Sequence, residues 1–234
     1  MWSGPRNLST AMMYAFGARD DCAVWDEPFY AAYLAQTGLD HPMRAEILAA
    51  GEADAQVVAA RCLGDIPDGK AVFYQKHMTH HMVRAFDREW MNHATNIFLI
   101  RDPAKVIASY NAKREDPTLD DIGFKQQAEI FDQIVRETGE VPVVVDSADI
   151  LADPETVLRK ICDRIGLEFQ KAMLNWPKGG HKDDGAWADH WYKSVWESDG
   201  FGKPAPLSAE LSVEGSALCE QALPYYEKLR EHRI

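Results

Sequence analysis

The sequence predicts an α/β fold, a mostly parallel sheet flanked by helices in a single domain spanning residues 1–234. Three observations predict it. Short strand-like runs alternate with helical periods along the chain, the pattern of strands joined through crossover helices. Two of the runs, NIFLI at 96–100 and VPVVV at 141–145, are apolar without alternation, as strands covered on both faces are. Polar clusters follow the strand-like runs, and open parallel sheets collect ligands at those carboxyl ends.

Each element has its own signal. Residues 10–17 have helical spacing, and Cys22-Ala23-Val24-Trp25 reads as a short strand ending at Asp26-Glu27-Pro28. Residues 43–64 are Ala-rich with helical spacing, a single helix on this reading. Ala71 to Lys76 forms a strand after the Pro-Asp-Gly turn at 67–69. The 96–100 strand stops at Arg101-Asp102-Pro103, where a helix through Tyr110 begins. A helix over 120–138 precedes the 141–145 strand, and Asp153-Pro154-Glu155 opens another that Gly166 closes. Residues 176–206 lack periodicity and are rich in Gly, Lys, Asp and Trp; so long a loop in a compact domain is usually functional, here a lid or cofactor loop. Ser208 to Ile234 reads as one or two amphipathic helices.

Composition excludes several classes. A net charge of −12 opposes nonspecific binding to nucleic acid, so any anionic ligand must be held by locally placed Arg and Lys. No apolar run approaches the roughly 20 residues of a membrane span, and Arg6 and Asn7 interrupt any leader-like start. Cys22, Cys62, Cys162 and Cys219 are scattered with no C-x-x-C pair, which fits a reducing cytoplasm and offers no metal set.

The opening stretch MWSGPRNLST places a rigid, cationic, hydroxyl-rich turn before a helix. Ser9 or Thr10 could simply cap that helix. Alternatively, the uncapped amides and positive dipole end could hold an anion. The triphosphate-binding pattern G-x-x-x-x-G-K-[ST] is not met, because its second Gly and its Lys are missing.

Four segments carry a resemblance to a known family. Pro5-Arg6-Asn7-Leu8-Ser9-Thr10, following Gly4, resembles the phosphosulfate-binding loop of sulfotransferases, usually Pro-Lys-Ser-Gly-Thr-Thr. Arg101 to Tyr110, with Arg101 and Ser109 eight residues apart on a strand-to-helix turn, resembles the family's 3′-phosphate motif. Asp149-Ile150-Leu151-Ala152-Asp153-Pro154 with Gly166-Leu167 is similar to its Glu-Asp-Leu…Pro…Gly-Leu stretch. Gly185-Ala186-Trp187-Ala188-Asp189-His190-Trp191, preceded by Lys178-Gly179, looks like its Gly-Asp-Trp-Lys-Asn-His-Phe loop. The four occur in family order.

The resemblance implies a P-loop-type sulfotransferase fold and 3′-phosphoadenosine-5′-phosphosulfate as sulfuryl donor, without a metal. The acceptor would be a hydroxyl or amine of a small molecule or carbohydrate. Gly4, Pro5, Arg6, Asn7, Leu8, Ser9 and Thr10 would hold the 5′-phosphate that becomes the leaving group, with Arg6 in the role of the usual Lys. Arg101 and Ser109 would hold the 3′-phosphate, and Lys178, Gly179 and Trp187 would complete the donor site. Trp176, Trp187, Trp191 and Trp196 as a group suggest a lid over adenine or an apolar acceptor, with two of them in ordinary core packing.

Two groups compete as general base. Glu27 in Asp26-Glu27-Pro28-Phe29 is similar to the Glu-Pro motif of carbohydrate and bacterial sulfotransferases, where a Glu is the base. His77, beside Lys76, lies near the family's Lys-Thr-His motif, and His80 and His81 leave its frame open. Glu27 is favoured, with Lys76 on the bridging oxygen.

The chain departs from the family at three places. Ser147 stands where a Tyr beside adenine is usual, and Pro177 where an Arg is expected. Only Met1 and Trp2 precede the loop, so either the first strand is very short or the sequence starts inside it. Two alternatives stay open, the second of them on these departures. One is a small-molecule kinase using Asp102 for magnesium; the other is a noncatalytic nucleotide-binding protein on the same fold.

Overall fold

The computed structural model describes residues 1–111, 117–203 and 211–234, excluding the side chains of Tyr110 and Asn111. Within them β1 (Trp2–Ser3), β2 (Cys22–Asp26), β3 (Val72–Met78), β4 (Ile97–Ile100) and β5 (Val143–Asp146) form one sheet. The order is β2-β3-β1-β4-β5, and every pairing is parallel. β1 is the central strand, with Trp2 opposite both His77 and Phe98. All four residues of β4 and of β5 are buried, as their unbroken apolar runs require.

Helices cover both faces. α1 (Ser9–Gly17) and α9 (Pro154–Arg164) lie on one, where Met12, Met13 and Phe16 meet Leu99, Val145, Leu158 and Ile161. α5 (Pro103–Asn111), α7 (Phe124–Thr138) and α12 (Val213–Arg230) lie on the other, where Val106, Ile107, Phe131 and Leu218 meet Phe98, Ile100 and Val144. After β1 the chain goes towards β2, and after β4 towards β5. The strand order therefore reverses between β1 and β4, and a crevice opens at their carboxyl ends. No helix among the described residues is long and apolar enough to cross a membrane.

Three expectations need refinement. The 43–64 helix is two, α3 (Arg44–Ala50) and α4 (Ala55–Cys62), because Asp54 caps a new start by accepting from the Gln56 N–H at 2.8 Å. The 120–138 helix is also broken, after α6 (Leu119–Ile122), at Gly123. Its φ is 73°, and a Cβ there would stand 2.7 Å from Thr79 Oγ1. The tail is one helix, α12, capped by Ser212, with Ser208 outside the described residues. Two helices lacked a periodic signal long enough to read, α2 (Tyr30–Thr37) and α8 (Ser147–Ala152). The 176–203 segment carries the short turns α10 (Ala188–Trp191) and α11 (Lys193–Trp196), and packs Trp187 and Tyr192 on Tyr30, Leu34 and Ile47.

Candidate active site

A cleft of about 390 Å³ opens at the switch point, lined by the β1–α1 loop, the ends of β2, β3 and β4, and the 176–203 segment. At one end lies the loop from Gly4 to Leu8. Gly4 is squeezed against the α6–α7 corner, where a Cβ would come 2.5 Å from the Ile122 carbonyl oxygen. Arg6 and Leu8 are held in the left-handed region at φ 61° and 75°, a costly state for residues with side chains that clusters at ligand sites. Buried Asn7 anchors this conformation by donating from Nδ2 to the Leu99 carbonyl at 3.2 Å.

The capping reading of this turn is not what forms. Leu8 occupies the N-cap position and no side chain caps the helix; Ser9 and Thr10 sit in its first turn and line the cleft with Pro5, Arg6, Asn7 and Leu8. The positive end of α1 therefore faces the cleft without a side-chain oxygen on its amides. At α5 the opposite holds. Asp102 Oδ1 accepts from the Ala104 and Lys105 N–H groups at 2.8 and 3.3 Å, so this carboxylate is engaged in capping.

Arg101 and Ser109 meet Arg6 at the same end. Arg101 Nη1 donates to the Arg6 carbonyl oxygen at 2.5 Å, and Arg6 Nε donates to Ser109 Oγ at 3.2 Å. Burial and then the Arg6 charge pull the Arg101 guanidinium below its ordinary range, outweighing the opposite pull of Asp102 and Asp146. Two guanidiniums and a hydroxyl thus converge at this end of the cleft.

The other end is built from β2, β3 and the 176–203 segment. The β2–β3 register sets Asp26 opposite Lys76, and Glu27 follows with a φ of 40°. Lys76 is fully buried and donates to Asp26 Oδ1 at 2.8 Å, to Glu27 Oε1 at 2.7 Å and to Tyr192 Oη. Its three N–H bonds are thus matched by three oxygens, and reaching a bridging oxygen would require one of them to give way. Burial by itself would lower the Lys76 pKa, but Asp26 and Glu27 more than offset it and hold the ammonium above its usual range. Burial drives Glu27 the other way, above the usual carboxylate range, helped by Asp26 and opposed by Lys76.

The histidines divide. His81 lines the cleft with Nδ1 3.9 Å from Glu27 Oε2, stacks on Tyr30 and Tyr33, and is pushed well below its usual pKa by burial and then by His80 and His41. His80 lines the cleft as well. His77 does not. Strand alternation turns it to the opposite face from Lys76, where it stacks on Trp2 at 4.5 Å and contacts Gln75 Oε1 at 3.2 Å. The expectation of His77 as alternate base is corrected on that ground.

Trp187 and Trp191 line the cleft, whereas Trp176 packs in the core edge-on to Tyr14 and Trp196 donates to Asp184 Oδ2 at 3.0 Å. Lys178 and Gly179 are not brought in. The Lys178 side chain is 64% exposed, 3.8 Å from Asp199, and Gly179 donates to the Trp196 carbonyl. Ser147 is buried at the start of α8, and from that helix Leu151 is the residue that lines the cleft. Sequence reasoning missed Asp26 as an anchor, Tyr192 as its partner, and Tyr30 and His41 on the cleft wall. The period-two alternation of β3 was the available signal for Lys76 over His77, while Tyr192 had none.

The parallel sheet thus carries at its switch point a cleft with Arg6 and Arg101 at one end and a buried carboxylate–ammonium cluster at the other, where open α/β sheets place their ligands. The comparisons carry this further: the chain belongs to the sulfotransferase domain family, whose match covers residues 1–233. Two relatives from Arabidopsis thaliana, branched-chain-amino-acid aminotransferase-like proteins 1 and 2, are 36% and 34% identical over 231 residues, 99% of this chain. The chain spans 41% of the length of each. The sulfotransferase domain of the Synechococcus PCC 7002 olefin synthase shares the fold, with a TM-score of 0.55 at 18% identity over 94% of this chain and 92% of that one.

Proposed function

We propose that the chain transfers a sulfuryl group from 3′-phosphoadenosine-5′-phosphosulfate to a hydroxyl or amine of a small molecule, with Glu27 as general base. The observation that carries this reading is the convergence in one cleft of an uncapped α1 terminus, the Arg6–Arg101–Ser109 cluster and the buried Glu27.

The residues fit the donor. Gly4 leaves no room for a Cβ where the loop bends, and the loop amides with Arg6, Ser9 and Thr10 would hold the 5′-phosphate. Arg101 and Ser109 would hold the 3′-phosphate. When bound, the donor supplies an activated sulfuryl group on a phosphate leaving group. Glu27 Oε1 is fixed by Lys76, and Oε2 is the oxygen left to take the acceptor's proton. Lys76 acts first as the clamp that keeps Glu27 and Asp26 in register. Tyr30, His41, Trp187 and Trp191 give the acceptor end an aromatic wall, which favours a small acceptor with a flat or apolar body over a polyanionic carbohydrate. The four free cysteines suit a reducing cytoplasm.

The test is transfer of label from sulfur-labelled donor to a panel of small alcohols, phenols and amines. Glu27→Gln should lower turnover about 100- to 10,000-fold, the usual contribution of a positioned base, with donor affinity retained. Wild-type turnover in that variant would remove Glu27 from the mechanism.

A further inference from the structure

We propose that Tyr192 is a positioning residue that sets the ionisation of Glu27 from the 176–203 segment; this rests on Glu27 being the base. Tyr192 is buried, and its Oη lies 3.0 and 2.8 Å from the two oxygens of Asp26, 3.2 Å from Glu27 Oε1 and 2.9 Å from Trp187 Nε1, and in contact with Lys76 Nζ. A phenol has one proton to give and two lone pairs. The Trp187 indole and the Lys76 ammonium donate into the oxygen, so its own proton goes to the carboxylate pair. The ammonium also lies over the Tyr192 ring, 4.7 Å from its centroid.

The charge balance gives this contact its weight. Two carboxylates share one ammonium, which leaves an excess negative charge in a buried cluster. Around it stand Asp26 and Glu27 from the end of β2, Lys76 from β3, His80 and His81 from the turn after β3, Tyr30 from α2 and His41 from the loop beyond it. Burial holds His81 neutral, so it supplies no second cation. The donors that the 176–203 segment brings are the Tyr192 hydroxyl and the Gly185 N–H, which meets Asp26 Oδ2 at 3.1 Å. Without the hydroxyl, Glu27 would hold its proton more tightly and spend less time as an ionised base. The same segment lines the cleft through Ser198 and Phe201, so one piece of chain both shapes the site and sets its base.

The experiment is the pH profile of kcat for the wild type, for Tyr192→Phe, and for protein carrying a ring-fluorinated tyrosine at 192. Tyr192→Phe should move the acidic limb to higher pH by about half a unit to one unit, the size of one hydrogen bond to a carboxylate. Its kcat near neutrality should fall about tenfold or less, with donor KM unchanged. The fluorinated ring keeps the shape and donates more strongly, so its limb should move to lower pH. It also carries the test by itself if the Phe variant does not fold. Limbs that coincide with the wild type in both proteins would overturn the proposal, since a structural role changes stability and leaves the profile in place. Glu27→Gln separates the two readings. Wild-type turnover there overturns the base and this inference together, whereas an inactive Glu27→Gln with unmoved limbs overturns only the role of Tyr192.

Discussion

The two ends of the cleft are assembled on opposite plans. At the proposed donor end two guanidiniums, Arg6 and Arg101, are set side by side, and their mutual repulsion adds to the burial that already pulls Arg101 down. At the base end Asp26, Glu27, Lys76 and Tyr192 close their hydrogen bonds among themselves. On the proposed function a bound phosphate would sit against the first arrangement, whereas the second makes its hydrogen bonds within the fold. Folding free energy and catalytic power should therefore respond differently to damage at each end.

Paired substitutions break or sharpen that contrast. Arg6→Ala should lower turnover about 100-fold or more, the scale of losing one preorganised donor, while shifting stability by no more than about 0.5 kcal/mol. Asp26→Ala leaves Lys76 paired with Glu27 but takes the acceptor from the Gly185 amide and the Tyr192 hydroxyl, and should cost about 1–3 kcal/mol in urea unfolding, the penalty of unsatisfied buried donors. Similar destabilisation by both substitutions would dissolve the distinction.

The same contrast governs what could be read from the sequence. At the donor end each piece is local, Gly4 to Thr10 in one loop and Arg101 with Ser109 in one strand-to-helix turn, and the pairing of β1 with β4 sets Arg6 against the other two. Glu27 was legible because it follows a strand directly. The rest of the base end joins positions 26, 76 and 192, which only the sheet register and the docking of the 176–203 segment bring into contact. Tyr192 sits between Trp191 and Lys193 with nothing local to mark it. In the fold, strand order and the central place of β1 likewise depend on long-range pairing. The helix breaks at Asp54 and Gly123 were written in cap and turn chemistry that a periodicity count passes over.

A smaller effect belongs to two buried histidines, His77 on β3 and His81 just after it. Burial holds His77 well below its usual pKa, and His81 is held down likewise by burial and by His80. The unfolded chain then binds protons that the folded one does not, so stability should fall as pH drops through the ordinary histidine value of 6.5. The loss should be about 1 kcal/mol per buried histidine over the first pH unit. Urea unfolding at two pH values should show a shallower fall in His77→Phe, with catalytic turnover near neutrality retained. An unchanged fall would mean that His77 is protonated in the folded core.

The central claim is that the cleft between the β1–α1 loop and Arg101 holds a nucleotide carrying both a 5′ and a 3′ phosphate. Calorimetric titration with adenosine 3′,5′-bisphosphate, in buffer containing a chelator of divalent cations, tests it most directly. The wild type should bind the bisphosphate. Arg101→Ala should weaken that binding by about 1.5–3 kcal/mol, the range for hydrogen bonds to charged groups, and weaken adenosine 5′-phosphate much less. Equal losses for the two nucleotides, or no binding of the bisphosphate by the wild type, would contradict the assignment.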